Sequence, residues 1–174
     1  MSTNVSSHAS GEASNSAASA LPAAPKRIET CTRSVSLAVP VDRVFAFCTT
    51  RAGFLAHYPN PVLDYRGDEQ WVLGSEFFLD YRYLGMPMTW HGKVTALEHD
   101  HVFKDEMVSG MFRYWEHTHA VEAEASGTRY TDTVRFSLGL GTLIDRYFVK
   151  PSLATFFRKR HELLRAALET PRSA

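Results

Sequence analysis

Cysteine is scarce in this 174-residue chain, with only Cys31 and Cys48 present. Neither has a partner at CxxC spacing, so no cysteine-built zinc or dithiol framework is visible. A reducing, cytoplasmic setting is the simplest expectation. Neither sign of charge is in surplus, with 19 Lys plus Arg against 19 Asp plus Glu. A partner recognised through its phosphate backbone usually demands a basic excess, so no nucleic acid is expected. No apolar run approaches the ~18 residues of a spanning helix, so no integral membrane segment is expected. The GxSxG of a hydrolase nucleophile elbow is missing. Gly139-Leu140-Gly141 lacks the spacing of a phosphate-cradling loop.

The first 24 residues contain seven Ser and seven Ala, with no aromatic residue and no apolar period. Such a stretch cannot bury enough surface to offset its ordering entropy. No Lys or Arg precedes Lys26, which argues against a signal peptide. Residues 1–26 are therefore expected to be a disordered tail, and residues 27–170 one α+β domain.

Period-2 alternation predicts a strand around Val35, Leu37 and Val39, ended by Pro40. Two short helices follow, the first in "PVDRVFAFCTT" with Val41, Val44, Phe45 and Cys48 at helical spacing, the second around Arg51 to His57. Six further strands are expected near Val62–Tyr65, Glu76–Leu84, Met88–Leu97, Val102–Ser109, Phe112–Glu122 and Thr128–Leu138. From Thr142 to Glu169, Leu153, Phe156, Phe157, Arg160, Leu164 and Leu168 recur at helical steps, with Pro151 expected to start or kink the helix. Strands joined by tight turns imply a curved seven-stranded antiparallel sheet wrapped around the long C-terminal helix. In "FFRKRHELLR", Arg158, Lys159, Arg160, His161 and Arg165 read as a solvated basic face.

Turn positions then fix which face is buried. A Gly85-Met86 turn pairs Tyr81 with Trp90. A turn over Glu98–His101 pairs Val94 with Asp105 and Ala96 with Phe103. A turn over Ser109–Met111 pairs Asp105 with Trp115 and Phe103 with His117. A turn over Glu124–Gly127 pairs His119 with Asp132 and His117 with Val134. One apolar face results, and it carries Asp105, His117, His119 and Asp132 inward among Trp90, Trp115 and Met107. Buried polar groups must be paired or must meet something polar.

The pattern Phe103-x-Asp105-x-Met107, Gly110-x-Phe112-x-x-Trp115-x-His117-x-His119 and Thr128-x-x-x-Asp132 resembles ligand-binding members of the SRPBCC superfamily. That group includes START domains, birch-pollen-allergen-like proteins and polyketide cyclases. The resemblance covers roughly residues 30–168 and implies a helix-grip fold with a mostly apolar cavity between sheet and helix. The expected function is binding of a small hydrophobic or amphiphilic molecule. The expected ligand-binding residues are Tyr81, Trp90, Phe103, Asp105, Met107, Trp115, His117, His119, Tyr130, Asp132, Val134 and Phe156. The alternative is a cyclase, aromatase or dehydratase-type enzyme. Its acid/base candidates are His117 and His119, with Asp132 or Asp105 as orienting partner and Tyr81 or Tyr130 as oxyanion donor. His117 is expected to face the pocket and His119 to pair with Asp132. No cofactor and no metal are expected, and oligomeric state is not legible.

Overall fold

The computed structural model describes residues 20–170. The expected tail falls largely outside the described residues, and residues 20–28 contain no helix or strand. The elements are β1 Glu29–Leu37, α1 Val41–Cys48, α2 Arg51–Ala56, β2 Val62–Gly67, β3 Glu76–Tyr83, β4 Met86–Glu98, β5 Val102–Ser109, β6 Tyr114–Glu124, β7 Gly127–Ser137, α3 Thr142–Ile144 and α4 Lys150–Glu169. A single π-helical turn, Asp145–Val149, links α3 to α4. Pro151 sits in the first turn of α4, where its missing N–H costs nothing.

The seven strands form one antiparallel sheet in the order β1-β7-β6-β5-β4-β3-β2. Its concave face receives α4, whose Leu153, Phe157, Leu164 and Leu168 are buried. Burying a side chain such as Phe157 contributes roughly 1.5–3 kcal/mol. Gly92 in β4 has a packing reason, because a Cβ there would lie 2.3 Å from the Phe77 ring. The Phe77 ring lies almost flat against Trp71 at 4.8 Å, closing the β3 side of the core.

Three corrections to the expected register and one to the expected burial carry most of the site. The first is at the β3–β4 turn, formed by Leu84 and Gly85, with φ of 50° and 81°. A two-residue turn of this hand matches strand twist. It pairs Tyr81 with Met88 rather than Trp90. Because the register moves by two residues, the faces survive. In β4 a bulge falls between Val94 and Ala96. Val94 opposes Asp105 as expected, but Leu97, not Ala96, meets Phe103.

The third correction is the largest. The β5–β6 turn is longer than expected, because Phe112 and Arg113 belong to it rather than to the strand. Phe112 folds back against Trp115 at 4.8 Å, and the Arg113 N–H donates to the Ser137 carbonyl. Asp105 therefore opposes His117 rather than Trp115, and Phe103 opposes His119 rather than His117. The β6–β7 register is as expected, with His119 opposite Asp132 and His117 opposite Val134.

The fourth correction concerns α4. Arg160 and His161 are buried, not part of a solvated face. They follow Phe157 by three and four residues, so they share its inward stripe. Arg158 and Arg165 do face outward.

Candidate site: a cavity ending in a buried histidine–aspartate cluster

A cavity of about 330 Å³ lies between the sheet and α4. Its walls are largely aromatic. Tyr81 and Trp90 come from β3 and β4, Phe54 and Tyr58 from the α2 region, and Phe156 and Phe157 from α4. Tyr58 makes edge contacts to both Tyr81 and Phe156, tying the wall together. At the inner end stand Asp105, Trp115, His117 and Arg160.

Six of the twelve residues expected at a ligand line this cavity: Tyr81, Trp90, Asp105, Trp115, His117 and Phe156. The other six, Phe103, Met107, His119, Tyr130, Asp132 and Val134, are buried behind the lining. The physical reason is that the inner face is filled toward β7 and open toward β3. Phe103 is stacked on His119 at 4.0 Å, so neither ring reaches the open space. Sequence reasoning did not single out Phe54, Tyr58 or Phe157 as cavity-lining. For Phe54 and Tyr58 the signal was weak, since α2 and its following loop carry no clear period, whereas Phe157 was on the legible inner stripe of α4 but was not assigned to the cavity.

Behind the lining, Asp132 is the hub. Its carboxylate accepts from His117 Nε2–H at 2.9 Å and from His161 Nε2–H at 2.8 Å. His119 Nδ1 lies 2.8 Å from Asp132 Oδ1, and Arg160 Nε 3.8 Å from Oδ2. Burial alone would raise the Asp132 pKa, but the imidazoles of His117, His119 and His161 outweigh it and hold the carboxyl well below its usual value.

The two strand histidines differ. His119 is enclosed, with Nδ1 2.6 Å from the Tyr130 hydroxyl and Nε2 3.0 Å from Asp105 Oδ2. Its contact to Tyr130 has hydrogen-bond alignment, and its slightly longer contact to Asp132 is ionic when the ring is protonated. Burial disfavours the charged ring, yet Asp105 and Asp132 outweigh it and hold its pKa above the usual value. His117 is both paired and cavity-lining. Burial first, and the neighbouring His119 second, lower its pKa to about 4. With Nε2–H donating to an ionised carboxylate, neutral His117 carries an unprotonated Nδ1. That atom stands 3.6 Å from Asp105 Oδ2, beyond hydrogen-bond distance.

Two donors at this end have no hydrogen-bond partner among the described residues: Trp115 Nε1, and Arg160 Nε, which is ion-paired with Asp132 at 3.8 Å. Tyr81, an expected oxyanion donor, lines the cavity, and burial pushes its pKa to about 12. Tyr130, the other candidate, is committed to His119. One donor atom each from Asp105, His117 and His119 lies within 4.8 Å of the other two, a spacing that fits a metal ion. Cys31 and Cys48 are buried free thiols.

The sheet, its gripped helix and the cavity between them define a helix-grip fold. Residues 82–168 match the family described as Domain of unknown function (DUF8410), and the chain belongs to that family. Solved structures share the fold at low identity. The ginseng major latex-like protein 151 from Panax ginseng is 14% identical over 83% of this chain and 99% of its own, with a TM-score of 0.66. An uncharacterised protein from Rhizobium leguminosarum is 18% identical over 82% and 95%, with a TM-score of 0.63. The di-domain ARO/CYC BexL from the BE-7585A biosynthetic pathway is 18% identical over 85% of this chain, with a TM-score of 0.68. This chain spans 52% of that one, about one of its two domains. No curated protein matches the chain in sequence.

Proposed function

We propose that the chain binds a small hydrophobic or amphiphilic molecule in the cavity between the sheet and α4. The observation that carries this reading is a cavity of about 330 Å³ with largely aromatic walls and a few polar groups, Asp105, His117 and Arg160 among them. That size and lining suit a ligand pocket, in which apolar surface supplies affinity and a few polar groups fix orientation. Arg160 among the lining residues favours a ligand with acceptor oxygens.

Native mass spectrometry of freshly purified protein tests the reading by looking for a co-purified small molecule. Displacement of an apolar fluorescent probe quantifies it. A Leu153→Trp variant, which fills the cavity from α4, should fold and lose the probe. Equal probe binding by wild type and this variant would refute the cavity as the site.

A second reading rests on His117. Its Nε2 is fixed by Asp132, its Nδ1 is unprotonated, and its side chain lines the cavity. That is the arrangement of an oriented general base, neutral at pH 7. The ARO/CYC neighbour makes cyclase, aromatase or dehydratase-type chemistry the class to test. Incubating the co-purified molecule with fresh protein and following its mass separates turnover from binding. Conversion by wild type that His117→Gln abolishes would support the enzyme.

A further inference from the structure

The end of the cavity holds more than a base and its orienting carboxylate. We propose that Asp105, His117 and His119 bind one divalent transition-metal ion, held by Asp105 Oδ2, His117 Nδ1 and His119 Nε2, with its open coordination positions facing the cavity. This site stands independently of the ligand-binding reading.

Three observations carry it. The first is spacing. His117 Nδ1 and His119 Nε2 lie 3.6 and 3.0 Å from the same oxygen, Asp105 Oδ2. Ligand atoms at about 2.0–2.2 Å from one ion are separated by about 3.0–3.4 Å, so small shifts would seat the ion. The second is the outer support. A ligating histidine normally has its other nitrogen held by a carboxylate or a similar group. Here both rings meet that condition: His117 Nε2 is held by Asp132, and His119 Nδ1 by Asp132 and Tyr130. The shared support turns both inner nitrogens toward Asp105. The third is that His117 Nδ1 makes no hydrogen bond to Asp105, standing beyond hydrogen-bond distance from it, at a separation an ion between the two would bridge.

The donor set, two imidazoles and one carboxylate, suits zinc, cobalt or iron in the divalent state, and not calcium or magnesium. The sequence expectation of no metal rested on the absence of cysteine clusters and of a closed ligand set, whereas Asp105, His117 and His119 bring three ligand atoms within 4.8 Å of one another. Asp105 and His117 line the cavity, so an ion here would meet the bound molecule.

The test uses the full chain, free of affinity-tag histidines and dialysed against chelator, titrated with cobalt(II) and zinc(II). One equivalent should bind with micromolar or tighter affinity, and cobalt should give visible d–d bands of a nitrogen–oxygen site. Asp105→Asn keeps the shape and an acceptor for His119 Nε2–H, so it should fold. It should weaken cobalt binding by about a hundredfold or more. His117→Gln, which retains a donor toward Asp132, should do the same, while Asp132→Asn should cost about 10–100-fold through the ring orientation. Circular dichroism on each variant confirms folding, and if Asp105→Asn does not fold, His117→Gln decides. Failure of the wild type to bind one equivalent would overturn the proposal. So would unchanged affinity in a folded Asp105→Asn or His117→Gln. Probe displacement from the apolar cavity is read separately, so the loss of one reading is distinguishable from the loss of the other.

Discussion

The concave face of the sheet has two halves that solve burial in opposite ways. Toward β3 the face is aromatic and open, and Tyr58, Tyr81, Trp90 and Phe156 border empty space. Toward β7 it is charged and closed, with Asp132 at 0% side-chain exposure among three histidines and an arginine. Apolar walls tolerate a void, since an unfilled apolar cavity costs contacts but leaves no polar group unpaired. A buried carboxylate tolerates none, because its desolvation must be met by donors on every side. The comparison teaches that a removed side chain should cost much in the closed half and little in the open one.

The largest expected effect is at the hub. Asp132→Ala leaves His117, His161 and Arg160 without their common partner and should cost about 3–5 kcal/mol in denaturant melts. A loss below about 1 kcal/mol would show that the closed half does not depend on its charge.

The pH dependence of the metal-free protein should come next in size. His117 has a folded pKa of about 4 against an ordinary value of 6.5. The unfolded chain therefore takes up the proton first. Stability is full above 6.5 and should fall by roughly 3 kcal/mol between 6.5 and 4. His119 runs the other way, because its pKa is raised in the folded state. Its contribution is fully present below 6.5 and is lost as pH rises through the raised value. Asp132, held well below 3.8, adds stability that is lost as pH falls from 3.8 through its folded value. Urea melts from pH 4 to 8 should thus peak near 6.5. A His117→Gln variant should flatten the acid limb, and an unflattened limb would assign the fall to another group.

The histidines themselves straddle the boundary. His119→Ala removes a stacked, enclosed ring and should cost about 2–3 kcal/mol, against about 1 kcal/mol for His117→Ala, whose space opens on the cavity. Adding Asp132→Asn to His119→Ala should not restore stability, because Asp132 also serves His117 and His161. Recovery in the double variant would mean that His119 is its dominant partner.

The smallest effect belongs to the open half. Phe156→Ala enlarges a space that already exists and should cost about 1 kcal/mol while altering probe affinity. Phe136→Ala, in β7 and 0% exposed, should cost about 3–5 kcal/mol. Equal costs would erase the contrast between the halves.

Most strand and helix boundaries were legible, because alternation in β3, β6 and β7 and the stripe of α4 are local patterns. The β6–β7 register was legible too, since its turn contains Ser126 and Gly127 between two clean alternations. The β5–β6 register was not. Nothing local in Phe112-Arg113 says whether they extend a strand or fold beneath it. The packing of Phe112 on Trp115 and Trp90 decides that, and those residues lie on other segments or further along the chain. The burial of Arg160 and His161 was half legible, since the helical period placed Arg160 on the inner stripe while its charge argued for water.

The sequence by itself thus determined the order of elements, the antiparallel sheet around a long helix, and the inward direction of Asp105, His117, His119 and Asp132. Period and turn chemistry are short-range, and a two-residue slip leaves faces unchanged. Only the tertiary structure decided which carboxylate meets which ring, that α4 supplies two further partners to Asp132, and where the cavity stops. Those depend on ångström-scale distances between β5, β6, β7 and α4, set by how a loop packs and how a helix is rotated, and no local pattern encodes them.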